Sequence, residues 1–338
     1  MRQAPELTTG SIASSLDRHH GIRVSSLTYL PIGYDLRAFV YKAVADDGST
    51  WFVKVRKGEI RDVGLSLSRD FVDHGIQNVV APILTGDGRL SCPLDGHPDY
   101  AIFVFPFIAG ESAMHVGMTR DQWRTFGITL RTIHEREPGP SLLEQLPREE
   151  FRLPSAALVH EVSRLARQEP TTGAIASQFA AFWREHQSRI ETMLTRAQSL
   201  GETLGQEHFD LVPCHTDIHA ANILVGTDGE IWLVDWDDPL LAPRERDLLF
   251  VIGSRIARPV SPTEEAWFFE RYGPANVNAD ALRYYRYERI IQDLGEFGQS
   301  IFTDEHISED LRADEARLAM EFFAAGGDIE RAESVSLT

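Results

Sequence analysis

The chain has 338 residues, of which 43% are apolar and 25% are charged, as is ordinary for a globular protein with a core of normal size. Its length exceeds that of a usual single domain and predicts two domains or lobes. The 33 basic residues are outnumbered by 51 acidic ones, which gives a formal net charge of −18. This charge excludes a protein that binds nucleic acid or an anionic membrane, because phosphate groups need clustered Lys and Arg. A cationic partner is favoured, unless the acidic residues serve only to keep the protein in solution.

The two cysteines, Cys92 and Cys214, are far apart in the sequence. They form neither a disulfide framework nor a paired-cysteine metal motif. The N-terminal residues lack the basic and then apolar pattern of a signal peptide. No stretch approaches the roughly 18–20 consecutive apolar residues of a membrane span. We therefore expect a soluble, cytoplasmic protein.

The first third of the chain has the pattern of a sheet. A short helix is predicted over residues 11–20 and a longer one over residues 60–75. An Asp-Gly pair within residues 45–49 predicts a hairpin turn. The last apolar stretch of this region is the strongest, and we expect it to be a central strand. Runs of β-branched and aromatic residues predict six strands: Leu27–Pro31, Arg37–Ala45, Thr50–Arg56, Val79–Leu84, Leu90–Pro93 and Tyr100–Phe107.

The rest of the chain is predicted to be mainly helical. Thr119 and Gln122 have the spacing of a capping box and mark the start of the first of these helices. A short β-like insert, residues 211–226 and 230–236, interrupts the helices. These patterns predict an α+β fold with an N-terminal antiparallel sheet lobe, residues 1–108, and a larger, mainly helical lobe, residues 109–338. The predicted helices are Thr119–Glu135, residues 155–169, residues 174–202, Asp280–Ile301 and Glu309–Ala325.

The β-like insert carries polar residues between apolar flanks. Residues 214–222 read CHTDIHAAN, and residues 231–239 read IWLVDWDDP. A turn between them is expected to bring Asp235 back beside Asn222. Their carboxylate and amide oxygens suit Mg²⁺, which leaves Asp217 to accept a hydroxyl proton. The order H-x-D-x-x-x-x-N followed by a metal-binding Asp is typical of kinase catalytic loops. The insert therefore predicts a kinase that uses Mg²⁺ and a nucleoside triphosphate.

Two other interpretations of the insert are open. Asp and Asn are common in turns and caps, so these residues can be purely structural. The sequence His215-x-Asp217-x-His219 can also belong to a zinc hydrolase. A further His or Cys cluster is missing from the sequence for that site, and Asn222 would have no role in it.

Residues 214–222 followed by Val-Asp-Trp resemble the aminoglycoside phosphotransferase family, which has a bilobal protein-kinase-like fold. The resemblance implies that Asp217 is the catalytic base and that Asn222 and Asp235 bind the metal. It also implies that His215 and His219 support the catalytic loop, together with a later Asp. That later residue is Asp247. Within the family, two runs look most similar to the spectinomycin phosphotransferases: residues 212–250 and 284–293.

The predicted sheet lobe contains the residues that such a fold needs for its nucleotide. Lys54 lies in the apolar run WFVKV, residues 51–55. A lysine there is a poor core residue unless it binds an anion, although it can also extend its ammonium to solvent from an edge strand. The resemblance implies that Lys54 binds phosphate and pairs with an acid on the next helix, for which Glu59 and Asp62 are candidates and Asp62 fits better. It further implies that the turn at residues 31–37 covers the phosphates and that a hinge contacts the adenine. The residues expected in these two places are Gly33, Phe105, Phe107 and Ile108.

The expected substrate is a small cationic molecule. Asp237, Asp238, Glu288 and Asp293 are candidates for binding its amines, although Asp237 and Asp238 can equally be solvated surface charges. We expect phosphorylation, with ATP or GTP, of a hydroxyl on an aminocyclitol or aminoglycoside antibiotic, spectinomycin first among them, and so resistance to it. The alternatives are a kinase for a hygromycin, streptomycin, choline or homoserine type of substrate, and a nucleotide-binding pseudokinase module. The protein is expected to be a monomer or a homodimer.

Overall fold

The computed structural model describes residues 7–32, 37–58, 62–168, 173–304 and 307–334. The strands are β1 Val24–Leu30, β2 Ala38–Ala45, β3 Thr50–Lys57, β4 Cys92–Leu94, β5 His97–Pro106, β6 Gly110–Ser112, β7 Val212–Cys214, β8 Ile223–Gly226, β9 Ile231–Leu233 and β10 Leu240–Ala242. The helices are α1 Thr9–His20, α2 Val63–Asp73, α3 Ala113–Val116, α4 Arg120–Glu135, α5 Pro140–Gln145, α6 Ala156–Ala166, α7 Gly173–Leu204, α8 Glu245–Leu248, α9 Pro262–Tyr272, α10 Ala279–Thr303, α11 Glu309–Glu321 and α12 Asp328–Glu333.

The chain forms two compact units, each assembled from separate stretches of sequence. The predicted boundary between residues 108 and 109 falls inside the first unit, and the division into two lobes at that point stays a prediction. The first unit comprises Met1–Pro147, Val212–Leu240 and Ile256–Pro274, and the second comprises Arg148–Leu211, Leu241–Arg255 and Ala275–Thr338.

The first unit begins with a five-stranded antiparallel sheet in the order β1-β2-β3-β5-β4. The predicted hairpin turn joins β2 to β3, and Gly48 takes the left-handed conformation there with a φ of 84°. Strand β5, which was expected at the centre, pairs on both sides, although β3 is the middle strand. The sheet predicted for this region is therefore confirmed.

The two faces of this sheet differ because side chains alternate along each strand. Val53 and Val55 of β3 are fully buried and belong to the same core as Ile12 and Leu16 of α1. Lys54 lies between the two valines in sequence and therefore points to the opposite face. Helix α1 thus covers one face of the sheet, and the chemistry expected of Lys54 belongs to the other.

One predicted strand is wrong. Residues 79–84 form no sheet strand: Val79 makes an isolated bridge with Leu233 of β9, and the Ile83 amide donates to the Val104 carbonyl of β5 at 2.8 Å. Val80 and Ala81 are nevertheless buried, so the apolar run packs into the core without forming a strand of the large sheet. A short apolar run predicts burial more reliably than it predicts strand pairing, because both kinds of segment have the same composition.

A second, three-stranded sheet in the order β6-β8-β9 positions the insert. Strands β8 and β9 form a hairpin in which Ile223 pairs with Leu233. Gly229 closes its turn with a φ of 86°, which a residue with a side chain rarely adopts. Gly110 of β6 lies so close to β8 that an added Cβ would be 2.1 Å from the Val225 carbonyl oxygen. The hairpin returns the chain to the residues that precede β8, as the sequence predicts.

Helix α4 begins with the predicted capping box, in which the Thr119 hydroxyl accepts from the Gln122 amide and the Gln122 side chain accepts from the Thr119 amide. Its buried face packs against α9, which the sequence did not predict. Gly127 permits the close approach, since a Cβ there would be 2.2 Å from the Phe268 carbonyl oxygen.

The second unit is helical, and its predicted helices are confirmed in α6, α7, α10 and α11. Its core contains Trp183, whose ring nitrogen donates to the Ser163 hydroxyl at 3.0 Å. Gly298 of α10 lies directly against Val162 of α6, where a Cβ would come within 2.5 Å of a valine methyl. In the part of the chain that the structure describes, no helix combines the length and apolar character that crossing a membrane requires.

Candidate active site

The side chain of His215 supports the loop between β7 and β8. This side chain is buried, and its Nε2 lies 2.9 Å from the Val234 carbonyl oxygen. Its Nδ1 accepts from the backbone amide of Asp217 at 3.4 Å. These partners assign the proton to Nε2, because a carbonyl only accepts and an amide only donates. The ring also packs on Trp236, with 4.4 Å between the centroids. The ring of His215 is thus fixed by its contacts with Val234, Asp217 and Trp236.

The Asp217 carboxylate is held at both of its oxygens. The Asn222 side-chain amide donates to Asp217 Oδ2 at 3.2 Å and to the Asp217 carbonyl at 2.8 Å. The Nε2 atom of His219 lies 3.3 Å from Asp217 Oδ1. His219 Nδ1 accepts from the Ala221 amide, so Nε2 is again the protonated nitrogen. With 41% of the side chain exposed, Asp217 is oriented by neighbours and still open to a ligand.

Asp235 lies two residues after the end of β9, beside the same loop. The Val234 amide donates to the Asn222 carbonyl at 3.1 Å, which places Asp235 next in line. Its φ of 67° is left-handed, a conformation that Asp tolerates better than most residues. The pKa of the Asp235 carboxyl is raised, first by burial and then by the charge of Asp237. The charge of Lys54 acts in the opposite direction but does not cancel this rise. The Asp235 side chain is 51% exposed, and a bound cation would stabilise the charge of its carboxylate.

Lys54 reaches two carboxylates of this segment. Its Nζ atom lies 2.7 Å from Asp237 Oδ2 and 3.5 Å from Asp235 Oδ1. Its side chain is 17% exposed. Burial lowers the pKa of the ammonium, but the charges of Asp235 and Asp237 outweigh that effect, so the pKa is raised. Lys54 therefore stays charged at neutral pH.

Thr216 has an unfavourable backbone conformation. Its φ is 73°, in the left-handed region that a β-branched residue avoids. Its hydroxyl donates to the Asp238 carbonyl at 2.9 Å. This bond joins the loop of Asp217 to the segment of Asp235, and it offsets part of the backbone strain.

The residues predicted to bind the nucleotide lie near β5, except one. Phe105 is on the same sheet face as Lys54, and its ring packs edge-on against Phe52 at 6.1 Å. Phe107 and Ile108 follow β5 and are half-buried, and the Lys42 ammonium lies 4.4 Å from the Phe107 ring centre. Their nucleotide contacts stay predictions. Gly33 lies outside the described residues.

Two acids were expected as partners of Lys54: Glu59 lies outside the described residues, and Asp62 does not meet Lys54 in the structure. It is exposed and precedes α2, where its side chain makes no capping hydrogen bond. Lys54 pairs instead with Asp237, which the sequence had predicted as a residue for the substrate. A Lys and an Asp 183 positions apart carry no local signal that would have predicted this pair.

The acids predicted to bind the substrate differ in their surroundings. In the second unit, Glu288 forms an ion pair with Arg246, and Asp293 forms one with Arg289 at 3.0 Å. In the first unit, Asp238 is exposed, and no hydrogen bond or ion pair joins its carboxylate to another residue in the described ranges. Asp238 is thus the predicted substrate acid with the most accessible charge.

Asp247 lies in the second unit, fully buried in the short helix α8. The support that it was expected to give the catalytic loop stays a prediction.

Three features together define a kinase-like phosphotransferase. They are an antiparallel sheet with a lysine on the face opposite to α1, a loop aspartate held by an asparagine, and a second aspartate after a hairpin. A family model described as the phosphotransferase enzyme family (APH) matches residues 29–286. The chain belongs to this family. It is a kinase that acts on small hydroxylated molecules. Membership of this family rules out the alternative interpretation of the insert as a zinc hydrolase site.

The chain is similar along its full length to spectinomycin phosphotransferase APH(9)-Ia. The crystal structure of that enzyme with ADP and spectinomycin matches at 29% identity and a TM-score of 0.87, over 98% of this chain and 99% of that chain. Its AMP-bound complex matches at 28% identity and a TM-score of 0.83, over 98% and 100%. Amicoumacin kinase hAmiN, in complex with AMP-PNP, Ca²⁺ and Ami, matches at 16% identity and a TM-score of 0.63, over 96% and 97%, and shares the fold. The expected kinase-like fold, an N-terminal five-stranded sheet followed by a mainly helical region, is confirmed.

Proposed function

We propose that this protein transfers the γ-phosphoryl group of ATP to a hydroxyl of an aminocyclitol antibiotic, with spectinomycin as the first candidate, and so confers resistance. The observation that carries the proposal is the Asp217 carboxylate, oriented by Asn222 and His219 and exposed enough to receive a hydroxyl. The likeness to an enzyme solved with ADP and spectinomycin supports the choice of substrate. GTP in place of ATP is tested by the same experiment.

Asp217 acts as the general base in this proposal. It accepts the proton of the substrate hydroxyl while the hydroxyl oxygen bonds to the γ-phosphorus. The bond from that phosphorus to its bridging oxygen breaks, and the nucleoside diphosphate leaves with its electrons. Hydrogen bonds from Asn222 and His219 keep the carboxylate in one orientation, so the acceptor is in place before the substrate arrives.

Asn222 and Asp235 fit the role of magnesium ligands. The Asn222 amide nitrogen is engaged with Asp217, which leaves its side-chain oxygen as the atom that can face a cation. An amide oxygen with a carboxylate is an oxygen donor set of the kind that Mg²⁺ prefers. When bound, Mg²⁺ neutralises the phosphate charge that grows during transfer. Lys54 contributes a second, permanent positive charge toward the phosphates.

Several predicted contacts belong to this proposal. Phe105, Phe107 and Ile108 would line the adenine site, and Gly33 would lie over the phosphates. Asp238 would attract an amine of the substrate, since it carries an exposed charge in a protein with a net charge of −18. For Glu288 and Asp293 a substrate amine would have to compete with an arginine that is already bound.

A coupled assay of nucleoside diphosphate release tests the proposal. Purified protein with Mg·ATP or Mg·GTP is screened against spectinomycin, streptomycin, hygromycin, choline and homoserine. Release that depends on spectinomycin, with a phosphorylated product detected by mass spectrometry, supports it. Release with choline or homoserine alone would move the substrate to another class. Nucleotide binding without release for any hydroxyl compound would favour the pseudokinase module.

A further inference from the structure

We infer that Asp237, and not an acid on α2, is the carboxylate that holds Lys54 in place for its phosphate role. The inference rests on the proposed function for that role, and on geometry for the pair itself. The Lys54 ammonium lies 2.7 Å from Asp237, a full hydrogen bond, and 3.5 Å from Asp235. Asp237 is therefore the closer partner, and Asp235 is left with more freedom to bind a metal.

Helix α2 offers no acid for this task in its described residues. Its two carboxylates face elsewhere: Asp70 pairs with Arg136 at 3.2 Å, and Asp73 accepts from the Arg69 Nε at 2.9 Å. Asp62, at the start of the helix, is exposed. The side of α2 that faces residues 235–238 carries Gly64, where an added Cβ would be 1.7 Å from the Trp236 carbonyl oxygen. A long acidic side chain at that point would have no space.

The segment that carries Asp237 is itself well fixed. Trp236 is buried, and its ring packs against Phe71 at 5.2 Å and against His215 at 4.4 Å. The Asp238 carbonyl accepts the Thr216 hydroxyl at 2.9 Å. Asp237 lies between Trp236 and Asp238, which are both fixed by these contacts. Its carboxylate is therefore held beside Lys54 by a short, rigid segment.

This arrangement places metal binding and the positioning of the lysine on one segment. The two functions lie on separate elements in kinases whose lysine pairs with a glutamate on a helix. In that arrangement, the position of the helix controls the lysine. Here a single segment, residues 235–238, carries both the proposed metal ligand and the partner of the lysine. The lysine is then preorganised whenever this segment is folded, without any displacement of α2.

The pair can be observed directly, because the chain has only three lysines: Lys42, Lys54 and Lys57. Protein with ¹⁵N-labelled lysine is examined without nucleotide by NMR of the side-chain ammonium groups, and the Lys54 signal is identified by its loss in Lys54→Arg. We expect a protected Lys54 signal in the wild type, its disappearance in Asp237→Asn and its return in Asp237→Glu. Asp73→Asn, an equal change outside the site, should leave it intact.

Nucleotide binding provides the second measurement, by calorimetry with Mg·AMP-PNP. Lys54→Met and Asp237→Asn should each weaken binding about tenfold, and the double variant should be no weaker than the weaker single one. Additive losses, an unchanged Lys54 signal in Asp237→Asn, or loss of the signal in Asp62→Asn instead would overturn the inference. A rise in KM for the aminocyclitol alone would make Asp237 a substrate residue and also overturn it. A wild type that binds no Mg·AMP-PNP would sink the proposed function, while the ammonium spectrum would still decide the pair.

Discussion

The His219 Nε2 atom lies 3.3 Å from Asp217 Oδ1, and the ring is turned there by a hydrogen bond from the Ala221 amide to its other nitrogen. His219 therefore donates to the carboxylate that is proposed as the base. A donor at one oxygen orients the group and leaves the second oxygen to Asn222. The supporting role expected of His219 is thus directed at one specific atom.

The first prediction concerns Asp217. Asp217→Asn keeps the shape of the side chain but removes the oxygen that accepts the proton. The expected result is a fall in kcat of about 10²–10⁴ fold. Affinity for Mg·AMP-PNP should be unchanged, because the residues proposed to bind the nucleotide are intact in this variant. Steady-state diphosphate release and calorimetry measure the two effects, and a variant with wild-type kcat would remove Asp217 from the role of base.

His219 should act on turnover through Asp217. His219→Ala removes the donor at Oδ1, so the carboxylate samples unproductive orientations and kcat falls by about tenfold. His219→Gln can still donate to the carboxylate and should recover part of the loss. The KM for nucleotide should not move in either variant. Equal kcat values in Ala and Gln variants would contradict the role, since they would show that donation is unimportant.

Asp238 tests how the substrate is held. Asp238→Asn removes an exposed charge, and we expect KM for spectinomycin to rise about two- to fivefold at low salt with kcat preserved. The increase should shrink as ionic strength rises, because salt screens exposed charges. Asp46→Asn, on the β2–β3 turn, loses the same charge and is the matched control. A KM that does not change with Asp238 would exclude that carboxylate from the substrate site.

The left-handed conformation of Thr216 predicts that a glycine variant at this position is more stable than an alanine variant, which reverses the order found in helices. Thr216→Ala keeps the strained φ and loses the bond to the Asp238 carbonyl, so it should lower the free energy of unfolding by about 1 kcal/mol. Thr216→Gly should be more stable than Thr216→Ala by about 1–2 kcal/mol, because glycine has no penalty at this φ.

The control for this prediction is Ala181 in α7, where the usual order holds. Ala181→Gly should cost about 1 kcal/mol, since glycine is a poor helix former. Chemical denaturation of the variants measures all three differences. An alanine variant at position 216 that is more stable than the glycine variant would be inconsistent with a left-handed Thr216.

Gly64 predicts a strict limit on side-chain size. Gly64→Ala places a carbon 1.7 Å from the Trp236 carbonyl oxygen, so α2 or the segment of residues 235–238 has to shift. We expect a loss of about 1–3 kcal/mol in unfolding free energy, with weaker binding of Mg·AMP-PNP. Gly10→Ala in α1 meets no atom within 4 Å and should be neutral or slightly stabilising. Thermal melts and calorimetry would reject the close packing if both variants behaved like the wild type.

Local patterns in the sequence were sufficient for most of the fold. Runs of β-branched and aromatic residues predicted the strand that carries Lys54, and Thr119 with Gln122 marked the start of α4. These signals work because pleat and cap geometry involve residues within a few positions of one another. Residues 79–84 were mispredicted as a strand, since an apolar run does not specify whether its backbone finds a partner strand.

The sequence by itself determined the chemistry: the spacing of Asp217, Asn222 and Asp235 is local, spans one loop and one hairpin, and is characteristic of a phosphoryl-transfer site. Only the tertiary structure decided which acid meets Lys54. That choice depends on the packing of a helix against a segment 183 positions from the lysine, where a glycine leaves no room for a side chain. Contacts of that kind follow from shape and close packing, which composition and periodicity do not contain.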